Sequence, residues 1–118
     1  MVGAALRDLL GASTRIGACT GVGVRTGNAG HPVCGDEVQL SVRLDAGRFV
    51  DVRWRATGCP ASMAVAALAA DVLVGVAVGA AADVLRQAIA RHGGLAAAER
   101  HAEALVLRAV AAASGGAA

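Results

Sequence analysis

Two alternating segments on either side of a short turn constrain the fold more than any other feature of the chain. Apolar and polar residues alternate from 38 to 44, and they alternate again from 50 to 56. The run Asp45-Ala46-Gly47 between them has the composition of a turn. This pattern predicts a β-hairpin with one buried face, and Trp54 belongs to that face.

Helical patterns follow the hairpin. Helices are predicted over 60–74, 80–91 and 95–113. One short strand is predicted near residues 22–24, in a glycine-rich segment ahead of the hairpin. Strands first and helices afterwards predict an α+β fold, in which helices pack on one face of a small antiparallel three-stranded sheet. We expect a single domain over 1–118, with an N-terminal helix at 1–12 and a flexible tail at 114–118.

The composition argues against a membrane and against nucleic acid as partners. Residues 61–82 are nearly all apolar, a length that can span a bilayer. Asp71 lies in the middle of this run, however, and a carboxylate at the centre of a span costs about 2.5–3.5 kcal/mol. Two short buried helices are therefore expected there. The 11 basic residues are scattered arginines, and aromatic residues make up only 2% of the chain, so we expect no nucleic acid.

The three cysteines indicate the compartment. An odd number of cysteines does not make a disulfide framework in a chain of this size. The first residues show no basic stretch followed by an apolar run and a cleavage site, so no signal peptide is expected. We therefore expect a cytoplasmic protein. In such a reducing compartment, cysteines tend to be metal ligands or catalysts.

Two of the cysteines lie at predicted junctions of the fold. Cys34 lies just before the hairpin, and Cys59 lies just after it, where a helix is predicted to begin. A cysteine ahead of a helix N-terminus feels the positive end of the helix dipole, which favours the thiolate that binds metals. Cys19 has no such position, and we interpret it as a small buried hydrophobic residue, with replacement ligand as the alternative.

The motifs around these junctions resemble the IscU/NifU N-terminal scaffold family. They are a Pro-x-Cys-Gly-Asp run at 32–36 and a Gly-Cys-x-x-Ser run at 58–62, with the hairpin between them. The likeness extends from about Arg15 to Val110. It implies a SufE/IscU-like sandwich and a scaffold, not an enzyme, that assembles a [2Fe–2S] cluster and transfers it to apo-proteins. A cysteine desulfurase would be the sulfur donor.

The resemblance also implies a binding site for the cluster. Carried over residue by residue, the ligands are Cys34, Asp36, Cys59 and His101. The family's third cysteine follows the histidine, and in this chain that position is Ala102, so one thiolate is missing. The family's aspartate implies a role for Asp36 in cluster release, since a carboxylate is a harder and weaker partner for a cluster than a thiolate.

A second departure concerns partners. Family members served by an Hsp70-type chaperone carry a Leu-Pro-Pro-Val-Lys segment, whereas residues 95–99 of this chain read Leu-Ala-Ala-Ala-Glu. Recognition by such a chaperone is therefore in doubt. The interval between Cys59 and Ala102 also leaves no room for the long insertion of the zinc-containing SufU branch.

Ligand chemistry leaves alternatives open. Two thiolates, one imidazole and one carboxylate also suit tetrahedral Zn²⁺, and histidine replaces cysteine in some iron–sulfur centres. One alternative is a degenerate zinc-binding paralogue that regulates a cysteine desulfurase. Another is a persulfide sulfur carrier that uses Cys34 or Cys59. In structural terms, Asp36 is either a ligand or a turn residue, and His101 is either a ligand or a solvated residue at a helix start.

Overall fold

The computed structural model describes residues 15–30 and 35–115. Three strands form one antiparallel sheet in the order β1-β2-β3, namely β1 (Val24–Gly30), β2 (Glu37–Asp45) and β3 (Arg48–Thr57). Three α-helices follow, namely α1 (Pro60–Val72), α2 (Ala81–Arg91) and α3 (His101–Ala113). The predicted α+β fold, an antiparallel three-stranded sheet with helices on one face, is confirmed. The helix predicted at 1–12 lies outside the described residues.

The hairpin β2–β3 carries the inner face of the sheet. Leu40 pairs with Trp54 and Val42 pairs with Val52. All four side chains are buried in the core. Asp45 pairs with the first residue of β3 across a two-residue turn, as the alternating pattern predicted. Helices α1 and α3 pack on this face, and α2 packs against α1.

The apolar run at 61–82 divides into separate elements. Helix α1 is buried along most of its length, and it ends at Val72. A turn of 3₁₀ helix, Val78–Ala80, then leads into α2. Asp71 keeps its side chain partly exposed and lies 3.8 Å from the Nε atom of Arg15. In the part of the chain that the structure describes, no helix is both long and apolar enough to cross a membrane.

Strand β1 lies further along the chain than the sequence predicted. The expected strand was near residues 22–24, but β1 runs from Val24 to Gly30, and Val22 is 99% exposed in the turn before it. Residues of β1 lack an alternating apolar pattern, so it is their backbone pairing with β2 that defines the strand.

The last predicted helix is divided in two. A 3₁₀ turn, Ala97–Glu99, precedes α3, and the Glu99 side chain accepts a hydrogen bond from the amide of Ala96 at 3.3 Å. Helix α3 then begins at His101. At the other end, Ser114 is buried and its hydroxyl donates to the carbonyl of Val110 at 2.8 Å, whereas Gly115 is exposed, and the flexible tail at 114–118 stays a prediction. Residues 116–118 lie outside the described part.

Gly27 allows α3 to lie directly on β1. A Cβ atom added at Gly27 would lie 2.8 Å from the Cα atom of Ala113 and would also meet the carbonyl oxygen of Ala109. These are backbone atoms of a helix, which cannot move aside as the end of a flexible side chain can. The close approach therefore depends on the absence of a side chain at residue 27.

We predict that Gly27→Ala lowers the free energy of unfolding by about 2–3 kcal/mol, because the added methyl group forces α3 away from the sheet. Gly30→Ala in the same strand is the control, since a Cβ atom there meets nothing closer than 3.8 Å. Urea denaturation of both variants measures the difference. Equal stability of the two variants would contradict the close packing of α3 on β1.

Candidate metal centre

Three parts of the fold meet at one end of the sheet and bring together three different metal-binding side chains. Asp36 lies just before β2, Cys59 just before α1, and His101 at the first residue of α3. A carboxylate oxygen, the Sγ atom and a ring nitrogen of these residues all lie within 4.8 Å of one another. Asp36 is buried, and the other two are partly buried.

Cys59 is the N-cap of α1. Its backbone is extended, with φ −73° and ψ 151°, and its Sγ atom accepts a hydrogen bond from the amide of Ser62 at 3.5 Å. Pro60 occupies the first turn, where its missing N–H has no consequence. The cap holds the sulfur over the helix N-terminus, and this places it 3.5 Å from the Nε2 atom of His101.

The carboxylate of Asp36 is the acceptor that joins the surrounding elements. Its Oδ1 atom accepts from the amide of Cys59 at 3.0 Å, and its Oδ2 atom accepts from the hydroxyl of Ser62 at 3.0 Å. The Nε2 atom of His101 lies 3.2 Å from the same Oδ2 atom. Burial by itself raises the pKa of Asp36, but the hydrogen bonds from Cys59, Ser62 and His101 together hold that pKa below its ordinary value.

Gly58 permits this contact between the loop and the helix. Its φ of +118° is unfavourable for a residue with a side chain. A Cβ atom at this position would also meet the carboxylate of Asp36 and would lie 2.8 Å from its Cα atom. The glycine of the Gly-Cys motif is therefore explained by the close approach of Asp36.

The orientation of His101 leaves one ring nitrogen for the centre. Its Nδ1 atom lies 3.2 Å from the carbonyl oxygen of Ala98, which can only accept, so Nδ1 carries a proton. Nε2 then points toward Asp36 and Cys59. A histidine that donates one ring N–H to a backbone carbonyl while its other nitrogen faces carboxylate and thiol groups has the usual arrangement of a metal ligand.

The structure brings together three of the four predicted site residues, Asp36, Cys59 and His101. Cys34 lies outside the described residues, and its part in the site stays a prediction. Cys19 is buried elsewhere, with its amide 2.9 Å from the Ser41 hydroxyl and its thiol donating to the Ser41 carbonyl at 3.1 Å. Burial raises the pKa of the Cys19 thiol.

Two further residues matter for the site. The sequence predicted no role for Ser62 beyond its place in the Gly-Cys-x-x-Ser motif, yet its hydroxyl donates to Asp36 and lies 3.4 Å from the Cys59 sulfur. The spacing of Ser62 from Cys59 could have indicated this contact, since a polar residue three positions after an N-cap commonly hydrogen-bonds to the N-cap residue. Ala102, at the position of the family's third cysteine, is fully buried in the core.

The donor set defines what the centre can do chemically. The described residues offer one sulfur, one carboxylate oxygen and one imidazole nitrogen, and this mixed set suits a tetrahedral metal ion with one position left for a further ligand. Iron–sulfur clusters generally take thiolates, so a cluster here depends on at least one more sulfur ligand.

Comparison with known proteins is consistent with this geometry. Residues 8–115 match the family described as the NifU-like N terminal domain. The iron-sulfur cluster assembly scaffold protein IscU 1 of Archaeoglobus fulgidus is 31% identical over 70 residues, which are 58% of this chain and 46% of that protein. The iron-sulfur cluster assembly protein 1 of Arabidopsis thaliana is 32% identical over 92 residues, which are 76% of this chain and 55% of that protein. The chain thus spans about half the length of the curated relatives it matches.

Solved structures share the fold. A protein of Fervidobacterium islandicum, described as an iron-sulfur cluster assembly scaffold for the SUF system, superposes with a TM-score of 0.76 over 96% of each chain at 18% identity. The N-terminal part of a NifU-like protein of Brucella abortus gives a TM-score of 0.68 over 96% of this chain and 89% of that one, also at 18% identity. At this identity the likeness concerns the fold alone.

We predict that Asp36→Asn lowers the free energy of unfolding of the metal-free protein by about 2 kcal/mol at pH 7, because an amide NH₂ replaces one of the two accepting oxygens. The folded pKa of Asp36 is below the unfolded value of about 3.9, so its contribution is complete above that value and is lost as pH falls through the folded pKa. The difference between wild type and variant should therefore shrink at acid pH.

Urea denaturation between neutral and acid pH measures this difference. Asp83→Asn is the matched control, since the Asp83 side chain is 80% exposed and the substitution should change stability little. A pH-independent gap between wild type and Asp36→Asn would mean that the carboxylate charge does not matter for holding the centre together.

Proposed function

Because this chain belongs to the family of NifU-like N-terminal domains, we propose that it is a scaffold for iron–sulfur cluster assembly. It is a carrier and not an enzyme. It holds a [2Fe–2S] cluster or its precursors on Cys34, Asp36, Cys59 and His101, and it passes them to apo-proteins. The observation that carries the proposal is the convergence of Asp36, Cys59 and His101 within 4.8 Å in a chain of this family.

Each side chain would have a different role as a ligand of the cluster. Cys59 supplies a soft thiolate on the N-terminus of α1, and Cys34 would supply a second one. His101 supplies Nε2 while the carbonyl of Ala98 holds its ring. Asp36 is the hard ligand, and its exchange for water or a client thiol would begin release of the cluster. A cysteine desulfurase would deliver the sulfur.

Zinc is the second candidate, and the donor set is the observation that favours it. Carboxylate, thiolate and imidazole from three residues are the ligand types that Zn²⁺ accepts together, whereas a cluster prefers thiolates throughout. With Ala102 in place of a third cysteine, the chain would then be a zinc-binding relative that occupies or regulates the desulfurase.

Anaerobic reconstitution tests the proposal. The purified protein is incubated with iron, cysteine and a cysteine desulfurase, or with Zn²⁺ alone, and visible absorption and metal analysis report what is bound. Thiolate-to-iron absorption together with about two irons and two sulfides per chain, or per pair of chains, supports the scaffold. Stoichiometric zinc with no cluster absorption supports the second candidate, and persulfide on a cysteine without any metal would contradict both.

We predict that Cys59→Ser and Cys34→Ser each abolish cluster or zinc binding, because each removes a thiolate from a site that already lacks one. Cys19→Ser is the control, since the hydrogen bonds of Cys19 within the described residues go to Ser41 in the middle of β2 and not to Asp36, Cys59 or His101. Metal content after identical reconstitution is the measurement. Loss of binding in Cys19→Ser alone would make Cys19 the replacement ligand.

We also predict that Ala102→Cys raises the yield of cluster, because a thiolate beside His101 restores the ligand that the family pattern places there. Ala102 is fully buried, so urea denaturation must show that the added sulfur is tolerated. Ala104→Cys, exposed in the first turn of the same helix, controls for a non-specific effect of an extra thiol. An unchanged yield in a stably folded Ala102→Cys would mean that the missing thiolate does not limit the site.

A further inference from the structure

Ser62 lies between two of the candidate ligands and donates a hydrogen bond to each of them. Its side chain is fully buried in the first turn of α1. The hydroxyl donates to the Oδ2 atom of Asp36 at 3.0 Å, and the backbone amide donates to the Sγ atom of Cys59 at 3.5 Å. A residue that hydrogen-bonds ligand atoms in this way can control how those atoms meet a metal ion.

The two oxygens of the Asp36 carboxylate have different surroundings. Oδ1 accepts from the amide of Cys59 at 3.0 Å, whereas Oδ2 lies 3.2 Å from the Nε2 atom of His101. Nε2 in turn lies 3.5 Å from the Sγ atom of Cys59. Around a tetrahedral zinc ion with ordinary bond lengths, oxygen and nitrogen ligands lie about 3.3 Å apart, and nitrogen and sulfur ligands about 3.6 Å apart. These spacings place Oδ2, and not Oδ1, as the ligand oxygen.

The hydroxyl of Ser62 restricts the rotation of this carboxylate about its Cβ–Cγ bond. A different donor holds each oxygen, namely the amide of Cys59 on Oδ1 and the hydroxyl of Ser62 on Oδ2. A carboxylate oxygen has two lone pairs, so Oδ2 can keep the hydrogen bond from Ser62 while its other lone pair binds a metal ion. Without the hydroxyl, Oδ1 alone would be held, and Oδ2 could turn away from His101.

We propose that Ser62 is a positioning residue that makes Asp36 a metal ligand through Oδ2 alone. This inference rests on the proposed function. The hydroxyl itself does not bind the metal. It keeps Oδ2 beside His101 while Oδ1 stays on the amide of Cys59. A carboxylate that binds through one oxygen suits a four-coordinate metal, whereas one that binds through both oxygens suits larger coordination numbers. Ser62 therefore sets both the strength of metal binding and the coordination number.

Zinc affinity is the first test. Ser62→Ala should fold, because alanine is smaller than serine and is the strongest helix former. Loss of a group that orients a metal ligand typically costs 10–100-fold in affinity, so we expect the dissociation constant of Zn²⁺ to rise about tenfold. Competition with a chromophoric chelator measures it.

Ser114→Ala is the matched control for this measurement. Ser114 is another buried serine next to a helix end, but its hydroxyl donates to the carbonyl of Val110 and not to a candidate ligand. Urea denaturation of the metal-free proteins reports how much stability each variant loses. Zinc affinity should stay at the wild-type value in Ser114→Ala, even where the loss of stability is similar in the two variants.

A double-mutant cycle tests whether Ser62 acts through Asp36. In the wild-type background, Ser62→Ala should raise the zinc dissociation constant about tenfold. In the Asp36→Ala background the same change should have no effect, because no carboxylate remains to be oriented.

Cobalt reports the coordination number directly. Four-coordinate Co²⁺ absorbs visible light more strongly than five- or six-coordinate Co²⁺. At saturating metal, the wild type and Ser114→Ala should show the strong bands of a four-coordinate ion. Ser62→Ala should show weaker bands, because its Asp36 carboxylate is free to bind through both oxygens.

Four results would overturn the inference: unchanged zinc affinity in Ser62→Ala, an equal loss of affinity in Ser114→Ala, an effect of Ser62→Ala that persists without Asp36, or identical cobalt spectra of Ser62→Ala and wild type. Each of them is observed in a protein whose wild type binds metal. Failure of the proposed function differs, because the wild type would then assemble no cluster and bind neither Zn²⁺ nor Co²⁺, and the inference would fail with it.

Discussion

The buried carboxylate of Asp36 is the interaction on which this end of the molecule depends. It accepts from the amide of Cys59 and the hydroxyl of Ser62, and it contacts His101, 65 residues further along the chain. A buried charge is costly unless hydrogen bonds compensate it, and here the amide of Cys59 and the hydroxyl of Ser62 both donate to the carboxylate. The same contacts fix the start of α1 and the first turn of α3 relative to β2. The candidate ligands are therefore positioned by the packing that closes the fold.

The sequence predicted most of the fold because its signals were local. Alternation in β2 and β3 and the helical runs after residue 60 specify elements without reference to distant partners. The predicted position of β1 was wrong because the strand is defined by its backbone pairing with β2, and its own residues do not alternate between apolar and polar. The break at Ala97–Glu99 was missed because alanines suit a continuous helix, and only the Glu99 contact with the Ala96 amide reveals the turn.

The site was predictable as a set of ligand types but not as a geometry. The junction positions of Cys34 and Cys59 identified two candidate ligands, and the resemblance added Asp36 and His101. Nothing local shows that the Asp36 carboxylate would be buried or that Ser62 would donate to it, because both facts depend on α1 packing against the start of β2. The hydrogen bonds that Asp36 accepts at the start of α1 therefore could not be predicted from the local sequence.

This arrangement couples metal binding to folding. The ligand atoms of Asp36, Cys59 and His101 come from three segments that converge only in the folded chain, so a metal ion that binds all three binds the folded state preferentially. A ligand of this kind stabilises the protein in proportion to the logarithm of its concentration over its dissociation constant. The apo-protein already aligns the three side chains through Asp36, which lowers the cost of ordering them when the metal arrives. The proposed carrier role requires the reverse step as well. The hydrogen bonds that Asp36 accepts from Cys59 and Ser62 do not require metal, so they would hold the start of α1 in place after release.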